Sequence, residues 1–524
     1  MTSLRCAASN RLQTKKGCRN WQPFFFINPP LTLNRFFVLV AALAIGIKAC
    51  CAATDFNFTP NLQKAYSEAQ KLRLQSSQQL LAKESNSNGL KLFVDDYTEI
   101  VELLITENPA LFERWKENEE KRLDALAKMD DKSPYQRFLQ AEIRLHWAFV
   151  KLKFGKEISA CWDIIKADRL LEANAKLFPD FVANQKSLGL LHVLIGSTPE
   201  NYAWVARMIG LQGDIKKGLA ELQNVIQKDS IFKTEAQLID VLVHAYILTY
   251  SDKKNAEAVE FVRTHPDNLL LYFFGTTVSL KDGRGTQALS FLQNKPTGTA
   301  YLSMPFWDYL KAEILLQKGG YDAAKIHYLA FLSQYAGVNF IKDTYFKLFL
   351  CSWLVNSDAE AQPYLEKIRT LGSTNVESDK AAFKFAGRFL ANQVPVSQKI
   401  LLQARFACDG GFTDVAQSVL KNYSENSFKS ITEKAEFQYR TGRIYQRNQQ
   451  PDRAIAPFDR AIALCENTNL SFGATAALQL GYVYKLKNQR DKARFYFQKA
   501  LSWPKHEYKN SVDNKARAAL STGF

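Results

Sequence analysis

The sequence predicts an all-α chain folded as an α–α superhelix, a solenoid of stacked helical hairpins, and three observations lead there. Near the C-terminus one pattern occurs twice: Gly442, Tyr445, Ala454, Phe458 and Ala461 fall at intervals of 3, 9, 4 and 3, and Gly481, Tyr484, Ala493, Phe497 and Ala500 repeat them. Upstream, helical patterns joined by short Gly- or Pro-containing breaks recur at intervals of roughly 35–50 residues, the range of helical repeats. No Val/Ile/Thr-rich alternating run of the kind that builds a sheet occurs.

Taken in order, the chain divides into residues 1–53, 54–132, 133–430 and 431–524. The first segment holds seven Lys/Arg and no acid, then the apolar run 36–47, then Cys50, Cys51, Ala52 and Ala53. This is the basic, apolar and small-residue order of a secretion signal, with cleavage expected after Ala53, and twelve apolar residues are too short to span a bilayer comfortably. Two other readings stay open. One is acylation of Cys50 or Cys51 as in a bacterial lipoprotein, against which Lys48 argues; the other is an organelle transit peptide, which the acid-free start resembles. The basic region is long for a signal, which a misassigned start codon would explain.

Residues 61–83 read as one helix, 85–89 as a loop, and 90–128 as a second long helix. Its carboxylates Asp95, Asp96, Glu99, Glu117, Glu119 and Glu120 read as a solvated face, because calcium binding needs a Gly-containing loop that is missing. Pro134, suited to a first helical turn, opens 135–154, and 157–178 follows the break at Gly155. Helix 182–195 leads towards a turn at Gly213, with Gly218 as the small residue of the next helix. Hairpins then follow at 234–250 with 254–264, 269–280 with 286–294, 307–317 with 323–333, 339–355 with 359–371, and 398–408 with 413–422. Helix 378–390 has no obvious hairpin partner, and 512–520 reads as a cap on the array. Ala312, Ala324 and Tyr328 fall in register with Gly442, Ala454 and Phe458, as do Ala404, Ala416 and Leu420. Phe331 stands where the last small residue belongs, so that hairpin is expected to splay.

The doubled pattern at 437–501 resembles the tetratricopeptide repeat (TPR), in which small residues let two helices approach and aromatics fill the space beside them. That resemblance implies a right-handed superhelix that binds proteins or peptides. The run 188–222 also resembles a segment of the eukaryotic inclusion-body-clearance family of TPR proteins, through Gly210, Gly213, Asp214, Gly218 and Leu219.

Charge and chemistry narrow the function class. The formal charge is +16, but without residues 1–53 there remain 61 basic against 52 acidic side chains, a surplus of nine over 471 residues. Nucleic-acid binders concentrate such charge on one face, and no Lys/Arg block beyond short pairs occurs, so nucleic acid is not an expected partner. Cys161, Cys351, Cys408 and Cys465 are far apart with no partnering His, which points to small buried hydrophobes rather than zinc ligands or disulfides. His146, His192, His244, His265, His327 and His506 form no metal-binding spacing, and neither a phosphate-binding loop nor a nucleophile elbow is found. No catalytic residue, cofactor or metal is therefore expected.

The resemblance places a peptide groove on the first helix of each repeat. Transferred residue by residue, it includes Tyr439, Arg443 and Arg447 in one repeat and Tyr482 and Lys485 in the next. An aromatic and basic groove suits a protein or peptide bearing acidic groups. The Lys/Asn/Arg carboxylate clamp of chaperone-binding members is not reproduced, since Tyr439 and Arg443 depart from it. The expected protein is a non-catalytic scaffold of an exported compartment. The competing readings are a helical toroid, enzyme or ligand-binding protein, with a pocket inside the superhelix, and a membrane-tethered assembly factor if Cys50 or Cys51 is acylated. Mass spectrometry of the mature protein is expected to find Thr54 at the N-terminus; an acylated cysteine or an uncut start would replace the simple-cleavage reading.

Overall fold

The computed structural model describes residues 56–198, 210–248 and 250–521, so the expected secretion segment lies outside the described residues. Five helices lead: α1 (Pro60–Gln70), α2 (Leu74–Leu81), α3 (Gly89–Thr106), α4 (Pro109–Trp115) and α5 (Asn118–Ala127). The array continues with α6 (Pro134–Lys153), α7 (Glu157–Leu177), α8 (Asn184–Gly196), α9 (Ile215–Lys228), α10 (Lys233–Tyr246) and α11 (Asp252–Arg263). Next come α12 (Leu269–Asp282), α13 (Gly285–Asn294), α14 (Phe306–Gln317), α15 (Tyr321–Gln334), α16 (Ile341–Trp353), α17 (Asp358–Thr370) and α18 (Glu377–Leu390). The last are α19 (Gln398–Asp409), α20 (Thr413–Leu420), α21 (Ile431–Arg447), α22 (Pro451–Leu464), α23 (Ser471–Leu486), α24 (Arg490–Leu501) and α25 (Lys509–Ser521). Among the described residues no strand occurs, and the chain is an all-α superhelix.

Local chemistry starts many of these helices. Asn88, Asn108, Ser133, Asp214, Ser251 and Asn268 each accept a backbone N–H of the first turn, and Ser430 forms a reciprocal capping box with Glu433. Pro60, Pro109, Pro134 and Pro451 occupy first helical positions, where a missing N–H leaves no bond unmade.

The N-terminal region departs from expectation. The helix expected over 61–83 breaks at Leu72, whose φ is 64°, and the one expected over 90–128 is three helices, broken at Glu107 (φ 49°) and again before Asn118. The cause of the first break lies elsewhere in the chain: Leu72 O accepts Leu302 N at 2.7 Å, and Arg73 donates to Tyr301 at 2.6 Å. The second break is local, since Asn108 caps α4 and Pro109 cannot extend α3.

The carboxylate face is not uniformly solvated. Asp96 is wholly buried and accepts hydrogen bonds from Trp147 Nε1 (2.9 Å) and Arg122 Nη1 (3.0 Å), with His146 Nδ1 also at 2.9 Å. Glu119 is buried against Lys151 at 2.5 Å, and burial pushes its carboxyl up to about 7. Glu117 and Glu120 are the exposed members. A buried carboxylate persists only where donors replace its water, and these helices supply them.

Two further buried networks tie distant segments. Lys186, almost fully enclosed, lies between Glu142 and Glu235, 2.8 Å from the latter; burial opposes its charge, but the two carboxylates prevail and raise it. Glu107 pairs with Lys153 and accepts from Tyr335 (3.0 Å) and Asn339 (2.7 Å), joining the end of α3 to the loop before α16. One apolar core accordingly runs from Phe56 to Ile444, and residues 54–132 share it.

Small residues set the closest helix crossings. A Cβ on Gly189 would lie 2.8 Å from Gly218 O, so α8 and α9 touch backbone to backbone. Helix α18 packs on α16 and, with α17, encloses a small core around Phe349, Trp353 and Ala386. Phe331 needs no solvent-exposed site: it is fully buried in a ring cluster with Phe306, Tyr309 and Tyr335.

Beyond this three-helix unit the chain returns, and α19 packs on α14. The turn between α12 and α13 meets the turn between α19 and α20, where Gly285 N donates to Gly410 O at 2.9 Å. Gly283 is left-handed (φ 72°), and a Cβ there would sit 2.5 Å from Asp409 O. Any side chain at this meeting point would hold the turns apart.

The packing and the buried acids make three predictions. Gly442→Leu, which drives a side chain into the Phe458 ring, lowers stability by about 1–3 kcal/mol in chemical denaturation. Gly387→Ala on the exposed face of α18, where a Cβ meets nothing within 4 Å, raises it by about 0.5–1 kcal/mol. Asp379, wholly buried, accepts Phe340 N (2.7 Å) and Asp343 N (2.9 Å) at the start of α16, and burial with nearby Asp343 and Glu107 pushes it from 3.8 up to about 7. The folded chain thus holds a proton between about pH 4 and 7 that the unfolded chain releases, so this stabilisation is full below that window and lost as pH rises through it. Asp379→Asn is expected to flatten the stability profile there by about 1.4 kcal/mol per pH unit, read from denaturation midpoints at stepped pH.

Candidate functional site

The C-terminal hairpins show how a groove is positioned. Gly442 of α21 lies against the Phe458 ring of α22, where a Cβ would be 2.6 Å from a ring carbon, and Gly481 of α23 meets Phe497 of α24 in the same way. Ala454, Ala461, Ala493 and Ala500 and both phenylalanines are fully buried. Tyr445 lies under Arg453 (4.4 Å from guanidinium carbon to ring centre), and Tyr484 stacks on Tyr496 with ring centres 5.3 Å apart. This seam holds α21 and α23 at fixed spacing, with their other faces turned inward.

Those faces form one wall of a cavity of 2030 Å³ inside the superhelix. The ends of α6 and α8, one residue of α7, the faces of α9, α10 and α11, the end of α12 and helix α25 also line it. Its two sides differ in chemistry. On α9, Ile215, Leu219, Gln223 and Ile226 line the cavity at helical spacing, and Leu191, Leu194 and Val241 extend the apolar area. Across from this stripe in sequence, Arg443 and Arg447 of α21 and Lys515 of α25 contribute a cationic wall.

The lining acids do not neutralise that wall. Asp240 and Glu257 hold Lys254 at 2.6 and 2.9 Å, Glu260 holds Arg263 at 2.5 Å, and Asp282 holds Arg284 at 2.6 Å. Arg443 donates only to amide oxygens, of Gln446 (2.6 Å) and Gln479 (2.8 Å). Arg447 donates to the carbonyls of Asp282 (3.2 Å) and Gly283 (3.3 Å), and its Nε is buried with no hydrogen-bond partner. Among the described residues Lys515 has no carboxylate within ion-pairing distance. Its side chain is open to the cavity yet enclosed by protein on the wider scale that sets solvation, so burial and then Arg443 push its ammonium down. Burial and Arg443 act on the Arg447 guanidinium in the same direction. Three cations short of counter-charge in a partly dehydrated space favour an anionic group among them.

The five groove candidates separate. Arg443, Arg447 and Tyr482 meet on this wall; Tyr482 packs its ring on Phe497 with centres 5.2 Å apart, and burial raises its phenol. Tyr439 lies outside the lining, layered between Phe458 (6.0 Å) and Phe472 (5.8 Å) with Arg440 over its ring. Lys485 is half-buried and also outside it. Sequence reasoning missed Lys515, Gln479 and the α8–α12 side. Lys515 sat in a helix read only as a cap, and nothing local in α9 signals that it lines one cavity with α21 and α25.

Among the described residues no group of His, Cys, Asp or Glu is arranged to hold a metal ion. His146 is enclosed beside Asp96, His192 pairs with Glu221 (2.6 Å) and His327 with Asp308 (2.7 Å). Cys351, Cys408 and Cys465 are buried free thiols, and burial lifts each above the ordinary range. Among the described residues no helix is long and apolar enough to cross a membrane.

Comparison with known proteins bears on the repeats. The tetratricopeptide-repeat family profile matches residues 474–506, which span most of α23 and all of α24. No curated protein matches the chain. Among solved structures it is similar to the TPR domain of P58(IPK), with 14% identity over 79% of this chain and 97% of that one and a TM-score of 0.20. It is also similar to a chain of the APC/C hetero-tetramer Cut9–Hcn1, with 13% identity over 88% and 96% of the two chains and a TM-score of 0.23. Residues 474–506 thus hold a tetratricopeptide repeat, and the small–aromatic seam of α21 and α22 repeats that of α23 and α24.

Proposed function

We propose that this protein is a non-catalytic scaffold of an exported compartment that binds a protein or peptide through acidic groups received on the Arg443–Arg447–Lys515 wall. The carrying observation is the charge imbalance: every lining carboxylate already holds a cation, while these three side chains have only neutral partners or none. The tetratricopeptide-repeat fold supports a protein-interaction scaffold. Export rests on the basic, apolar and small-residue order of residues 1–53, and membrane attachment enters only through acylation of Cys50 or Cys51. The half-open cavity of 2030 Å³ leaves a second reading, a small-ligand receptor, although pockets for drug-sized ligands run to about 1,000 Å³.

The test begins with cross-linking in the native host to identify the bound protein. Arg443→Glu combined with Lys515→Glu is then expected to cut its recovery at least tenfold while helical content by circular dichroism stays unchanged. Arg447 is left in place because it holds the 282–283 turn. Recovery equal to the unsubstituted protein contradicts the proposed wall.

A further inference from the structure

Resting on the reading that this cavity receives a protein segment, we infer that the segment is an amphipathic α-helix, apolar on one face and acidic on the other. The cavity offers two unlike surfaces: the stripe Ile215, Leu219 and Ile226 on α9, and the cations Arg443, Arg447 and Lys515 on α21 and α25. An occupant that meets both must segregate its own chemistry onto separate faces, which residues three and four apart on a helix do.

Backbone chemistry separates a helix from an extended peptide. A strand laid against the α9 stripe presents N–H and C=O groups to Ile and Leu side chains, which bond neither, and each unpaired group costs about 1–3 kcal/mol. A helix pairs its backbone internally and brings only side chains to that stripe. The dimensions agree: a cylinder about 10 Å across that fills 2030 Å³ is about 26 Å long, or about 17 helical residues. Charge complements shape, since Glu or Asp side chains on the outer face supply the counter-charge that Arg443 and Lys515 lack.

The test uses the full chain and three fluorescein-labelled 17-residue peptides followed by anisotropy. The first carries Leu at helical spacing on one face and Glu on the other; the second is a scramble of it that destroys the faces; the third has every Glu replaced by Lys. The first is expected to bind at least tenfold tighter than either control, to weaken as salt rises, and to lose at least tenfold with Arg443→Gln/Lys515→Gln and again with Leu219→Gln. Equal binding of the scramble overturns the helix and leaves an extended acidic peptide, so the proposed function survives. No peptide binding, together with binding of a fluorescent alkyl carboxylate, overturns both and makes the cavity a ligand pocket. No binding of any probe overturns the inference.

Discussion

The contact of the α12–α13 turn with the α19–α20 turn governs the shape of the molecule. Helical hairpins stack one upon the next, and that stacking alone defines a local twist without closing a space. Here Gly283 and Gly285 let one turn lie directly on Gly410 and Gly411, with Gly285 N bonded to Gly410 O at 2.9 Å. Arg447 then reaches from α21 to the carbonyls of Asp282 and Gly283, so the C-terminal repeats are clasped to the same point. The walls carrying Leu219 and Arg443 line one cavity in the chain so clasped.

The same clasp explains how the cavity keeps its charge. Arg447 spends its terminal donors on carbonyl oxygens, which orient the guanidinium but leave its charge intact, and Gln446 and Gln479 do likewise for Arg443. Other interior charges are matched, as at Lys186 between Glu142 and Glu235 and at Asp96 among its three donors. A chain that pairs these deep charges and leaves three cations without a carboxylate along one wall concentrates electrostatic attraction there.

Legibility in the sequence followed the range of the interactions. The hairpins of 134–177 and 431–501 were readable because caps, breaks and small–aromatic spacing act within some twenty residues. The break at Leu72 was not, because its cause is Tyr301 and Leu302. Asp96 carried a signal that charge obscured: it lies three residues after Phe93 and four before Ile100, both buried, and so on the core face of α3. Arg443 and Arg447 were found through repeat spacing, whereas Lys515 depends on how α25 caps the array, a matter of packing. Tyr439 shared the pattern of a groove residue but lies next to Phe472 of the following hairpin, which repeat spacing alone does not reveal.

Glu107 also bears on how the chain is made. Its partners Tyr335 and Asn339 lie 228 and 232 residues later, and both bonds are buried. At about 5–20 residues per second, a ribosome needs about 10–50 s after completing α3 before those partners exist. During that interval the left-handed Glu107 and the Lys153 beside it lack the later neighbours that enclose them. The N-terminal third is therefore synthesised first but completed late, and the window for a holding chaperone to engage it is set by translation speed rather than by the stability of the finished superhelix.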